Sequence, residues 1–207
     1  MKKALIVVDI QNDFCKGGSL EVADGEKIIP YINHLMKTNN YDEIILTQDF
    51  HPAEHKSFAV NNGKSVGEII ELNGISQTMW PVHCVQGTSG VEFHPDLEKN
   101  HATYIIKKGM NPEIDSYSAF FDNQKLIDTG LSNYLKSKDI EIVEIVGLAL
   151  DYCVKYTCID AVSEGFKVVL HFKGTKAVNL HPDDAKNTVF ELLEKGVSIT
   201  KTYPKFR

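Results

Sequence analysis

The sequence predicts an α/β protein: a single domain over residues 1–207, built on a doubly wound, six-stranded parallel sheet with helices on both faces. Three observations carry this. Short apolar runs rich in β-branched residues, such as Ala4-Leu-Ile-Val-Val8, alternate with segments of helical period. At 207 residues, 43% hydrophobic and 24% charged, the chain can bury one full core. No internal repeat, linker or low-complexity tract interrupts it.

The elements follow in order. Residues 4–8 form the first strand, apolar throughout as a strand covered on both faces must be. Ile28, Ile32, Leu35 and Met36 place one face of a helix over about Glu26–Lys37. Glu43–Thr47 and Thr103–Ile106 are the second and third strands. Ile127, Leu131, Tyr134 and Leu135 share a helical face, and Ile142–Val146 is the fourth strand. Val154, Cys158, Ala161 and Val162 mark a helix ending at Gly165, before the fifth strand, Lys167–Phe172. Ala185, Val189, Leu192 and Leu193 stripe a last helix, opened at His181-Pro182 and stopped by Gly196. Val197–Ile199 is the sixth strand.

One stretch breaks the alternation. An insert of about 50–102 has weak periodicity, yet holds five of the eight histidines and the only tryptophan. An insert that long in a compact domain points to function.

Composition excludes several classes. Lys and Arg number 22 against 28 Asp and Glu, a net charge of −6, so no basic face for nucleic acid is expected. No apolar run reaches membrane-spanning length, and the signal-like start stops at Asp9, so the expected compartment is the cytoplasm. Cys15, Cys84, Cys153 and Cys158 form no CxxC pair; in that compartment they read as buried hydrophobes or a nucleophile. A homo-oligomer is compatible with the sequence.

Ligands of open α/β sheets bind beyond the carboxyl ends of the strands. Those ends carry Asp9, Asp49 with His51, Lys107-Lys108-Gly109, and Gly147-Leu-Ala-Leu-Asp-Tyr-Cys153. Cys153 falls near a helix start, where free N–H groups favour a thiolate and can hold an oxyanion. Cys158 instead fits the packing stripe of that helix. Asp49, His51 and His83 are a plausible open site for zinc, iron or manganese.

Six segments, in one order across residues 7–154, resemble the isochorismatase-like cysteine hydrolases, nicotinamidases in particular. They are Val7-Val-Asp9-Ile-Gln-Asn-Asp-Phe14, Thr47-Gln-Asp49-Phe-His51-Pro, Trp80-Pro-Val-His83-Cys84-Val, Lys108-Gly109, Asp115-Ser-Tyr117-Ser-Ala-Phe120 and Gly147-Leu-Ala149-Leu-Asp-Tyr-Cys153-Val154. The resemblance implies a catalytic triad of Asp9, Lys108 and Cys153, with Lys108 preferred to Lys107 because it directly precedes the glycine. It implies Asp49, His51 and His83 as ligands of one divalent metal, zinc first, and Phe14, Trp80 and Tyr117 around the substrate. It further implies a cis Leu148–Ala149 peptide and an oxyanion hole from the Ala149 and Cys153 N–H groups. The implied reaction is hydrolysis of nicotinamide to nicotinate and ammonia, in NAD salvage. His55 and Ser57 are candidates for a fourth ligand; the His51-Pro-x-x-His55-x-Ser57-Phe string resembles the branch of the family in which water fills the site, and His55 is left out of the ligand set. The rival readings are an amidase for ureido or carbamoyl substrates, which lacks the metal set, and a non-catalytic metal-binding protein on the same sheet.

Overall fold

The computed structural model describes residues 1–200. Six parallel strands form the main sheet: β1 (Lys2–Val8), β2 (Glu43–Asp49), β5 (Tyr104–Lys108), β6 (Ile140–Leu148), β7 (Lys167–Lys176) and β8 (Ser198–Ile199). Their order is β5-β2-β1-β6-β7-β8. The chain builds outward from β1 to β5, then returns to the other side of β1 with β6. The β1/β6 boundary is therefore the topological switch point, where the flanking connections part and leave a crevice.

Among the described residues, four α-helices cover the sheet: α1 (Ile29–Thr38), α2 (Leu131–Ser137), α3 (Lys155–Ser163) and α4 (Asp184–Glu194). Side chains alternate across β1, so Ala4, Ile6 and Val8 join one apolar cluster while Leu5 and Val7 join another. The first cluster takes Leu131 and Leu135 of α2, Cys158 of α3 and Leu192 of α4. The second takes Ile29, Ile32, Leu35 and Met36 of α1. Both faces of the sheet are thus buried, which is why its central strands are apolar runs rather than alternating ones.

Several boundaries differ from the sequence expectation. The helix expected over 26–37 begins as a 3-10 turn, Gly25–Ile28, and becomes α-helical only at Ile29, where Pro30 suits the first turn. Ile127 lies before α2, in a loop stapled by Asp122, whose carboxylate accepts the Leu126 and Ile127 N–H groups. Pro182 precedes α4 rather than opening it. The insert is structured, with an antiparallel hairpin of β3 (Ile69–Leu72) and β4 (Ile75–Thr78) and 3-10 turns at Ala59–Asn62 and Lys99–His101. The expected domain includes residues 201–207, which lie outside the described residues.

Gly147, at the switch point, has φ +123, and a Cβ there would meet the Val8 carbonyl oxygen at 2.1 Å. Only glycine lets β6 approach β1 this closely. No helix among the described residues is long and apolar enough to cross a membrane.

Candidate active site

Asp9 is the first residue beyond β1 and takes a left-handed conformation, φ +50, which an aspartate tolerates better than most residues. Thr47 of β2 locks it: its hydroxyl donates to Asp9 Oδ1 at 2.6 Å and accepts the Asp9 N–H at 3.2 Å. Lys108 ends β5, two strands away, and spans the gap. Its Nζ lies 2.8 Å from Asp9 Oδ2, contacts the Asp49 carboxylate, and donates to the Ser116 carbonyl at 3.0 Å. The same nitrogen is 3.4 Å from Cys153 Sγ. Lys107 points the other way, exposed, with its ammonium 3.7 Å from the centre of the Phe50 ring. The two lysines therefore divide as strand geometry demands.

Cys153 sits in one π-type turn, Leu150–Val154, between the cis Leu148–Ala149 peptide and α3. Burial pushes its thiol well above the ordinary range; Lys108 opposes this, and Asp9 and Asp49 add to it. Burial and the two carboxylates thus work against the thiolate that the helix start favours. Burial also raises Asp9, against the pull of Lys108. A carboxylate so raised is a stronger base than an ordinary one. Burial works against the Lys108 charge too, but Asp49 and Asp9 outweigh it and keep the ammonium. Cys158 is fully buried in the core cluster under α3, away from these charges.

Beside Asp9, Lys108 and Cys153, the side chains of Asp49, His51 and His83 are all buried and offer one donor atom each within 4.8 Å of one another. Asp49 Oδ2 is 3.6 Å from His51 Nε2 and 3.9 Å from His83 Nε2. His51 Nδ1 is 2.8 Å from the Gly109 carbonyl and His83 Nδ1 is 2.8 Å from the Pro81 carbonyl. Each ring thus turns its Nε2 toward the Asp49 carboxylate, and His51 Nε2 is buried without a hydrogen-bond partner. One carboxylate oxygen and two imidazole nitrogens, each ring oriented by a backbone carbonyl, fit a borderline divalent ion. Burial lowers His83 to about 4, so it is neutral and able to ligate at ordinary pH. For Asp49, burial is outweighed by Lys108 and the two histidines, and the carboxyl is held well below its ordinary range. Gly109, φ +66, makes room: a Cβ there would meet His51 Cε1 at 2.4 Å.

A pocket joins the two groups. Phe14, Trp80, Tyr117 and Tyr152 supply aromatic walls, and Ala149, Cys153, Asp49 and His83 also line it. Trp80 Nε1 donates to the Tyr117 hydroxyl at 3.1 Å, and Tyr152 meets Trp80 edge-on, 4.7 Å between centroids. The free volume is about 20 Å3, room for one water. Leu20, Tyr117 and Tyr152 are the wall residues that reach the surface. The sequence reading had not singled out Leu20, Tyr152 or Asp115, which also line this pocket. Tyr152 had a signal, standing directly before Cys153; Leu20 had none.

The model of the isochorismatase domain matches residues 3–202. The chain belongs to the isochorismatase family. All six segments that carried the resemblance fall inside the matched range. The chain is 45% identical over 195 residues to a nicotinamidase of Acinetobacter baylyi, covering 94% of this chain and 90% of that one. A solved nicotinamidase/pyrazinamidase of Acinetobacter baumanii superposes with a TM-score of 0.92 at 45% identity, covering 96% of this chain and 95% of that one. A pyrazinamidase of Pyrococcus horikoshii, solved in complex with zinc, gives 0.79 at 35% identity, covering 97% and 99%. The six-stranded isochorismatase-type sheet expected from the sequence is the one observed.

Proposed function

We propose that this protein is a metal-dependent nicotinamidase, hydrolysing nicotinamide to nicotinate and ammonia through an acyl-enzyme on Cys153. The observation that carries the reading is the position of the buried Lys108 ammonium, 2.8 Å from Asp9 and 3.4 Å from Cys153, behind the Cys153 that lines an aromatic pocket together with Asp49 and His83. The similarity to nicotinamidases supports the substrate class.

Asp9 accepts the thiol proton as Cys153 Sγ attacks the carboxamide carbon. The new C–S bond forms as the carbonyl π pair moves onto oxygen, and the Ala149 and Cys153 N–H groups hold that oxyanion. Lys108 stays charged between the carboxylates and stabilises the ionised partners. Asp9 then gives its proton to the departing nitrogen, the C–N bond breaks, and ammonia leaves a thioester. Water, deprotonated by Asp9, attacks the thioester, and the thiol is restored with release of nicotinate. Phe14, Trp80 and Tyr117 hold the ring. Asp49, His51 and His83 would hold the metal, which when bound supplies a Lewis-acidic anchor for the ring nitrogen. Zinc suits one carboxylate and two imidazoles, and it is the ion in the Pyrococcus horikoshii relative.

The test is ammonia release from nicotinamide by the purified protein, with metal analysis of the same sample. Turnover dependent on Cys153 and on bound metal is expected. No release from nicotinamide by metal-replete protein would overturn the reading.

A further inference from the structure

Three buried histidines crowd one side of the pocket, and their ring nitrogens are not equivalent. The rings of His51 and His55 are 4.3 Å apart between centroids, and those of His51 and His83 are 5.0 Å apart. In His51 and His83, Nδ1 faces a backbone carbonyl, of Gly109 and Pro81. A carbonyl only accepts, so Nδ1 carries a proton, and in the neutral ring Nε2 presents a lone pair. His55 is reversed. Its Nδ1 lies 3.2 Å from the backbone N of Ser57 and 2.7 Å from Ser57 Oγ. A backbone amide only donates, so Nδ1 is the acceptor and the neutral ring carries its proton on Nε2. That Nε2 is fully buried and has no hydrogen-bond partner in the protein.

We propose that His55 is a positioning residue whose Nε2–H donates to an oxygen atom held on the metal, across from the Asp115 carboxylate, and that its ring does not ligate the metal. The inference rests on the metal reading above and adds which residues hold the oxygen beside it. A lone pair, not an N–H, is what a metal requires of an imidazole, and only His51 and His83 present one. A buried donor, conversely, is costly to leave unmade. The acceptor is not Asp115 itself. His51, His55 and Asp115 offer donor atoms within 4.8 Å of one another, but no direct His55–Asp115 bond forms. One oxygen making two hydrogen bonds of about 2.8 Å at a tetrahedral angle spans such a gap. Asp115 is itself anchored, accepting the Ser116 N–H at 2.7 Å and Gln77 Nε2 at 3.1 Å. Each of its oxygens keeps a second lone pair for that bridging atom. His55 and Asp115 together thus orient a metal-bound water or hydroxyl and leave the aromatic side of the pocket to the ring.

The test is nitrogen-15 NMR of the histidine rings during a zinc titration of the metal-free wild-type protein, so no variant has to fold. Before zinc, at a pH high enough for all three rings to be neutral, His51 and His83 should show Nδ1–H tautomers and His55 the Nε2–H tautomer. On zinc addition, Nε2 of His51 and His83 should move to metal-bound shifts. His55 should keep its Nε2 proton, with a changed shift and slower exchange. Loss of that proton to zinc would make His55 a ligand and overturn the proposal. An Nε2–H indifferent to zinc would reduce it to a packing residue, with the same consequence. If none of the three rings responds, the metal reading itself fails, a distinguishable outcome. A second measurement is zinc affinity of His55→Ala: a loss of about 10–100-fold with full occupancy at saturation fits an outer partner. An inability to hold stoichiometric zinc would overturn it.

Discussion

The two halves of the site are built on different kinds of chain. Asp9 and Lys108 stand at strand ends, where the parallel ladders set Val8 beside Gly147 and Asp49 beside Lys108. His51 and His83 come from the irregular insert, tied down by a few bonds: the His51 N–H to the Cys84 carbonyl at 3.0 Å, and the Cys84 N–H to the Asp13 carboxylate at 2.7 Å. The strand ends therefore place charge by the sheet's own geometry, whereas the insert places imidazoles through local contacts. Asp49 belongs to both halves, since its carboxylate touches Lys108 on one side and faces the histidines on the other. The lesson is electrostatic: one ammonium lies between two carboxylates, and a cation beyond Asp49 would complete the alternation. Breaking the sheet-borne half should stop the chemistry, and breaking the insert-borne half should loosen what the pocket holds.

The largest effect should come from Cys153→Ala, which removes the proposed nucleophile. Turnover of nicotinamide should fall by on the order of 10^4-fold or more, with the unfolding midpoint little changed. Residual turnover near that of the parent would end the comparison, because the sheet-borne half would then not be the chemical one. Next is the lysine pair. Lys108→Met removes the ammonium between Asp9 and Asp49, raises both carboxyls and should cost on the order of 10^2-fold in kcat. Lys107→Met should match the parent, since Lys107 faces Phe50; kcat of the two variants side by side decides it.

The insert-borne half is broken by His51→Ala. Metal content should fall and KM for nicotinamide rise, while circular dichroism stays that of the parent, because the sheet does not pass through His51. Full metal occupancy in that variant would remove His51 from the ligand set. A smaller effect sharpens the contact between the halves. Gly109→Ala combines a left-handed backbone with a methyl 2.4 Å from the His51 ring, and should cost about 1–3 kcal/mol by denaturant unfolding together with some metal affinity.

The smallest effect lies remote from the site. Burial opposes ionisation of Glu144, but bonds from His171 at 2.6 Å and Tyr41 at 2.8 Å outweigh it and bring the carboxyl from 4.5 to about 2. A depressed folded value means stability that is present above pH about 4.5 and lost as pH falls toward 2. Glu144→Gln should thus be less stable than the parent at pH 7, with the gap closing between those values and nicotinamidase activity unaffected. Melting temperatures at pH 7, 4.5 and 2.5 check it.

Much of this was legible residue by residue. The apolar runs at 4–8, 43–47 and 142–146 and the helix stripes at 28–36 and 185–193 fall in the observed elements, because burial on both sheet faces writes continuous hydrophobicity into the chain. The ends of elements were less legible. Ile127 looked helical by spacing, but the Asp122 carboxylate offers its N–H group a competing partner. The hairpin at 69–78 was missed because its one fully buried residue is the polar Gln77 and the rest are exposed or half-buried, so no apolar alternation shows in the sequence.

The sequence by itself determined the α/β class, the strand-end residues and, through six segments in order, the isochorismatase family. Local periodicity and local motif are properties of neighbouring residues, and neighbours are what a sequence records. Tertiary structure alone decided three things. It brought Lys108 to Asp9 across β2, put Tyr152 and Asp115 on the pocket wall, and divided the buried histidines by the proton each ring carries. Those depend on strand order and on which carbonyl or amide faces each nitrogen, and such partners are distant in the chain or set by the exact turn. The same distance effect bears on Cys153: the helix start lay in the sequence, but the burial and the two carboxylates that oppose its ionisation came only with the fold.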